Sequence, residues 1–440
     1  SVLRDFTRRN SSEVNINTAG ADSSQIEFTG GSDATVSLGD TRLRVEEATF
    51  RVFKDDATEP VVDVEGLLRI ADNAVLELEQ PTNQLAETTL RFNQNLNVED
   101  ALVRITPNSG GFLVDTQDNT VVFRGDTAPA NEIVSTGDAS LQVSSIQNRA
   151  DNNLVVGGGT NELVLSVTDE IRLTENGVTV SNNALLNPAT GAEVIRNVAN
   201  AGTQINASAG TFNGPSDEEN VYNLTYRGDG IAETDDELNS FVGNLSLRDG
   251  AEVQLDDSYE VRGDLTVNAG TVLEDDSTSS SSVDRVLTLV ADSASHSIEG
   301  NVQSDVNTGD SDDQVSLEVG GAGAVVAGTE DTDDDAQVEN LDVIAEGVEV
   351  SDLQSITGDL DVSADFQNSA GETVTPSLTL GLADEQSVDS TLTADNGLTL
   401  ASDVEVGGDV SVNTSTSAQD GSLAFGGNNL TVLGAFSGEN

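Results

Sequence analysis

The chain has 440 residues, of which 78 are Asp or Glu and 18 are Lys or Arg, a formal net charge of −60. A nucleic-acid backbone needs basic patches, and an anionic membrane surface likewise favours cationic segments, so this balance argues against both as partners. Cys, Met and Trp are absent, which removes disulfides and thiolate chemistry, and no apolar run of 18 residues offers a membrane-spanning helix.

The basic side is seventeen Arg and the single lysine Lys54, and the stretch from Val286 to Asn440 carries thirty acids with no Lys or Arg. In dilute buffer such a chain opposes its own compaction. At molar salt the Debye length falls to about 3 Å and the repulsion is screened. The composition therefore reads as that of a protein working in concentrated brine. Disorder is the competing reading, but 36% hydrophobic residues laid out in short alternating runs indicate a fold. The chain opens at Ser1 without Met, as expected of a processed protein or an excised piece.

Residues 1–55 hold Arg4, Arg8, Arg9, Arg42, Arg44 and Arg51 together with Phe6, Phe28, Phe50 and Phe53. They are expected to form a terminal cap or assembly segment, in which Arg4, Phe6, Arg8 and Arg9 make contact with a second copy of the chain. Short Val- and Leu-rich runs follow: Val61 to Val64, Ala74 to Leu78, Val121 to Phe123, Glu162 to Val167, Ala251 to Leu255 and Val286 to Val290. Each is bounded by Gly, Asp or Asn and reads as a strand. Gln84 to Asn95, Ala189 to Val198 and Thr234 to Val242 are the helix candidates. The polar stretch from Ala199 to Glu219 divides a first β-rich part, 56–205, from a second, more acidic part, 206–440.

A repeat runs through these strands. Gly-Asp or Gly-Asn is followed by alternating aliphatic residues at Gly243-Asn-Leu-Ser-Leu247, Gly263-Asp-Leu-Thr-Val267, Gly358-Asp-Leu-Asp-Val362 and Gly408-Asp-Val-Ser-Val412, with looser copies at Gly137, Gly300 and Gly427. The expected content is a corner between two strands, with Gly at positive φ and Asp or Asn capping the turn. Copies 19 or 20 residues apart suggest coils of about 20 residues, hence an all-β fold, a parallel β-solenoid. The alternative is a row of immunoglobulin-like β-sandwiches. It is disfavoured because such domains rely on a buried Trp or a Tyr corner, and here Tyr occurs only at 222, 226 and 259.

Chemical motifs are few. Arg-Gly-Asp occurs at 124–126, 227–229 and 262–264, where the corner Gly-Asp explains it without an adhesive role. The run from Glu330 to Asp335 offers Asp331, Asp333 and Asp335 as ligands for Ca2+ or another cation, but Ala336 stands where a calcium loop needs its turn glycine. No other cofactor is expected. The lone His296, in a Ser-rich strand, is expected at the surface, and no Gly-x-Ser-x-Gly elbow accompanies it. Asn10, Asn206, Asn223, Asn244, Asn413 and Asn429 begin N-glycosylation sequons.

The Gly-Asp-Leu-x-Val coils resemble those of secreted β-solenoid surface proteins, the autotransporter passengers and filamentous adhesins, and the composition is similar to that of proteins from extreme halophiles. The resemblance implies an extracellular or cell-surface structural or adhesive protein, not an enzyme. Its partners would be further copies of itself, joined head to tail into a filament or lattice, and surface glycans. A polysaccharide lyase built on a β-helix and a fibre protein of a halophilic virus are the alternatives.

Overall fold

A computed structural model describes residues 5–7, 14–17, 25–28, 34–46, 49–53, 61–71, 73–79, 88–106, 112–115, 119–125, 131–157, 161–200, 202–207, 209–212, 221–239, 242–275, 285–303, 314–328, 336–364, 366–367, 373–383, 387–412 and 423–438. The described residues hold strands and no helix. The fold is a parallel β-solenoid. It divides into two compact units, one of residues 1–222 with 235–237, the other of 223–234 with 238–440.

In the second unit, strands recur in triplets that feed three sheets in fixed order. The first triplet is Val242–Arg248, Ala251–Leu255 and Tyr259–Val261, and the last is Leu423–Ala424, Leu430–Val432 and Phe436–Gly438. Each strand pairs in parallel with its counterpart one coil later. The steps vary with the loops between strands: 20 residues from Leu245 to Leu265, 18 from Leu392 to Val410, and 32 from Leu360 to Leu392. The longest carries a small antiparallel hairpin, Phe366–Gln367 against Thr373–Val374.

Period-two alternation decides which residues face inward. On the third sheet one buried residue per coil stacks into a ladder: Val261, Leu289, Val319, Val343, Val362, Ala394 and Val412. Each Val or Leu so buried contributes roughly 1.5–3 kcal/mol, and parallel in-register stacking repeats the gain at every coil. No aromatic residue is needed, which is why a chain with 3% aromatics can fold.

The first unit has the same logic with two sheets. One carries the ladder Phe50, Leu76, Val103, Ile133, Val156 and Val180. The other is built from long bent strands such as Ala34–Glu46, Val61–Ala71 and Leu163–Leu173. In some coils the bent strand is broken in two, as Thr88–Phe92 and Leu96–Glu99. Phe6 of the expected assembly segment lies in the strand Asp5–Thr7, in register with Val36.

Three expectations change. Thr88–Phe92 and Glu193–Asn197 are strands where helices were expected, and 234–239 holds no helix. Leu90 and Phe92 are buried on either side of the outward Arg91, so pairing with adjacent coils overrides a weak helical propensity. His296 is fully buried: in Ser295–Ile298 the alternation turns 296 and 298 inward, and the N–H of Leu265 donates to His296 Nδ1 at 3.1 Å.

The corner glycines also work differently. Gly263, Gly358 and Gly408 do not have positive φ. They are needed for close approach. A Cβ at Gly263 or Gly358 would run into Asn244 Oδ1 or Asn340 Oδ1, and one at Gly408 would stand 2.5 Å from the Ser390 carbonyl oxygen. The repeat, moreover, does not mark one corner. Gly243 lies at the start of a strand of the first sheet and Gly263 just before the next, Gly300 and Gly427 precede strands of the second, and Gly358 and Gly408 strands of the third.

Candidate functional site

The corner Asn and Asp residues reach along the stack, not into their own turn. The N–H of Asn244 donates to Asn223 Oδ1 (3.2 Å), that of Asp264 to Asn244 Oδ1 (2.8 Å), and that of Ser295 to Asp264 Oδ1 (2.9 Å). The same relay joins Asn340 to Asp359 and Asp359 to Thr391. Each side chain satisfies an amide that the corner lifts out of the sheet ladder.

Three sequon asparagines serve in this relay. Asn223 is half-buried, and its sequon Thr225 is buried with Arg248 Nη2 donating to Thr225 Oγ1 at 3.0 Å. Asn244 is exposed. Asn429 is exposed, but its Nδ2, the nitrogen a glycan would occupy, donates to Asp403 Oδ2 at 3.0 Å while its N–H donates to Asp403 Oδ1. Asn206 is half-buried at the end of Ile205–Asn206. Asn10, Asn413, Arg4, Arg8, Arg9 and the carboxylates Asp331, Asp333 and Asp335 lie outside the described residues. Among the described residues no cluster of His, Asp or Glu has the arrangement to hold a metal ion.

Charges stack in register, and the two units differ. On the first unit Arg51, Glu77 and Arg104 occupy one position of three successive coils, with Arg104 Nη1 3.5 Å from Glu77 Oε1 and Arg51 also paired to Glu79. On the second unit Glu318, Asp342 and Asp361 occupy one position of three successive coils. Burial, then the charges of Asp361, Glu318 and Asp359, push Asp342 up to about 6, and burial followed by the Asp395 and Asp359 charges raises Asp361.

A groove of about 610 Å³ opens on the bent sheet of the first unit. Register makes it. Arg44, Arg69 and Asn97 are direct neighbours on successive coils, and two residues further along the strands Arg124 lies beside Glu99. Arg44 Nε lies 2.5 Å from Glu46 Oε1, and Arg69 pairs with Glu99. Arg124 is exposed and forms no ion pair among the described residues. Asn95 and Asn119 complete the wall. Sequence reasoning placed Arg44 in a cap and Arg124 in an Arg-Gly-Asp triplet. The signal that links them is a spacing of 25 to 28 residues between Arg44, Arg69, Asn97 and Arg124, which has meaning only once the coil length is known.

The last described coil shows a different surface. Its strands have no described partner on their outer edges, and Phe425, Leu433 and Phe436 are 46%, 65% and 56% exposed. Comparison with protein-family models, with curated proteins and with solved structures finds no match to this chain.

Proposed function

We propose that this chain is an extracellular structural or adhesive protein of a halophile, a non-enzymatic solenoid whose copies join end to end in a surface filament or lattice. The observation that carries the reading is the regular parallel stack, in which the aliphatic ladder from Val261 to Val412 and the corner relay from Asn223 to Ser295 repeat the same contacts coil after coil. Unpaired edges are templates for further strands, and a contact between unlike ends that does not close on itself propagates. At molar salt charge attraction between ends is weak, so strand pairing and apolar burial supply the affinity. The acidic surface keeps such an assembly hydrated in brine.

Sedimentation of the full chain in molar NaCl tests this. Concentration-dependent oligomers are expected. A wild-type chain that stays monomeric at every concentration overturns the reading.

A further inference from the structure

We infer that the arginine groove of the first unit binds an anionic polysaccharide, its guanidinium groups taking the acid groups and its amides the hydroxyls. This goes beyond the end-to-end association proposed above and uses none of the residues on which that rests.

The groove stands apart from the rest of the surface. A chain of net charge −60 has seventeen arginines, and three of them, Arg44, Arg69 and Arg124, line one depression. The carboxylates beside them are engaged, Glu46 with Arg44 and Glu99 with Arg69. These pairs hold two of the guanidinium groups in place on a rigid sheet. Arg124 adds an exposed cation with no described ion partner. Its position is enforced by the neighbouring residue. Gly125 has φ +116°, and a Cβ there would collide with the Asp100 carboxylate, so the corner fixes where Arg124 leaves the strand. The Arg-Gly pair of that triplet thus has a structural cause and a functional consequence.

The ligand class follows from chemistry and spacing. Guanidinium groups recognise carboxylate or sulfate through paired N–H donors. Asn97 offers donor and acceptor together, which suits vicinal hydroxyls, and beside it Asn95, whose Oδ1 accepts the Thr120 N–H at 2.9 Å, adds its amide nitrogen as a donor. Asn97 Nδ2 spends its donor only on a 3.5 Å contact with the Asn95 carbonyl. Successive coils present these groups about 4.8 Å apart, roughly the length of one pyranose ring, so a stiff polysaccharide can keep register over several coils. Single-stranded nucleic acid is bound by aromatic platforms, and no aromatic residue lines the groove. In molar salt the long-range repulsion between chain and polyanion is screened, leaving these short contacts to decide.

Isothermal titration calorimetry on the full chain in molar NaCl tests the assignment. The probes are alginate for carboxylate, dextran sulfate for sulfate, neutral dextran, poly-glutamate and single-stranded DNA. Binding of alginate or dextran sulfate is expected, with neutral dextran inert, and the preferred arm identifies the acid group. Arg124→Gln should weaken the binding about tenfold, and Asn97→Asp, which puts a carboxylate on the groove wall, at least as much. Arg227→Gln, on the second unit and outside the groove, should leave it unchanged. Far-UV spectra matching wild type confirm that each variant is folded. Absence of binding to both acidic polysaccharides, equal affinity in the groove variants, or stronger groove-dependent binding of poly-glutamate or DNA would each overturn the inference.

Discussion

Asn244 and Asp264 sit one coil apart, and the side chain of the first caps the backbone N–H of the second at 2.8 Å. Gly263, immediately before, is the residue whose missing Cβ leaves room for Asn244 Oδ1. At Gly263 and at Gly358 the repeat is thus one device made of residues on two coils: the glycine accommodates the capping side chain of the coil before it, Asn244 or Asn340.

A double-mutant cycle should show this coupling. Gly263→Ala is expected to cost about 1–3 kcal/mol through overpacking. Asn244→Ala should cost about 1 kcal/mol through the lost hydrogen bond. In the double variant the clash with Asn244 Oδ1 is gone and only the 3.0 Å approach to the Gly243 backbone remains, so the loss should fall short of the sum by more than about 0.5 kcal/mol. Urea melts in molar NaCl give the three values; strict additivity would refute the shared corner.

The stacked carboxylates predict an inverted acid response. Asp342 is held at about 6 in the fold against an ordinary 3.8. Between those two values the folded state holds more protons than the unfolded chain, so stability falls as pH rises through this window and the penalty is complete at pH 7. Asp342→Asn should raise Tm at pH 7 and flatten the profile between pH 4 and about 6. His296 works in the opposite sense. Burial lowers its pKa, so the unfolded chain takes up the proton first and stability is lost as pH falls below 6.5. His296→Asn, which keeps an acceptor for the Leu265 N–H, should remove that loss. A Tm profile unchanged by either substitution would contradict the account of these two sites.

Arg196 and Glu237 form a buried ion pair in the first unit, 1% and 0% exposed, and Glu237 Oε2 also accepts the N–H of Ile205 at 3.2 Å. Tyr222 Oη donates to the Glu237 carbonyl at 2.6 Å. Glu237→Ala should cost about 3–5 kcal/mol, because it strands a buried guanidinium. Arg196→Met/Glu237→Leu should recover most of that stability. A single-variant loss below about 1 kcal/mol in urea denaturation would show that the pair is not buried as described.

The solenoid was legible because its physics is local. Alternating Val and Leu, aliphatic stacks without Trp, and Gly-Asp corners each report on a few adjacent residues. What stayed hidden depends on the register between coils. His296 looked exposed among serines because the sequence does not say which parity of Ser295–Ile298 faces inward. Gly263 and Gly358 suggested positive φ, since close approach to Asn244 and Asn340 is invisible without the preceding coil. The repeat spacing misled where copies changed corner, as from Gly263 to Gly300. The groove required four residues on successive coils to be brought into line, and Arg196 with Glu237 required a contact across 41 positions.

Salt should act unevenly along the chain. The second unit stacks carboxylates on carboxylates, whereas the first alternates Arg51, Glu77 and Arg104. On dialysis from molar to about a tenth molar NaCl, where screening reaches only about 10 Å, amide exchange should rise first in peptides from 286–412 and later in those from 61–200. Uniform protection at both salt concentrations would contradict the brine-dependent fold.

Electron microscopy of the full chain in molar NaCl tests the central proposal, coils that continue from one copy into the next. The prediction is filaments whose diffraction shows a reflection near 4.8 Å, the strand spacing, directed along the filament axis. Isolated particles at high protein concentration, or filaments with that spacing across the axis, would contradict it.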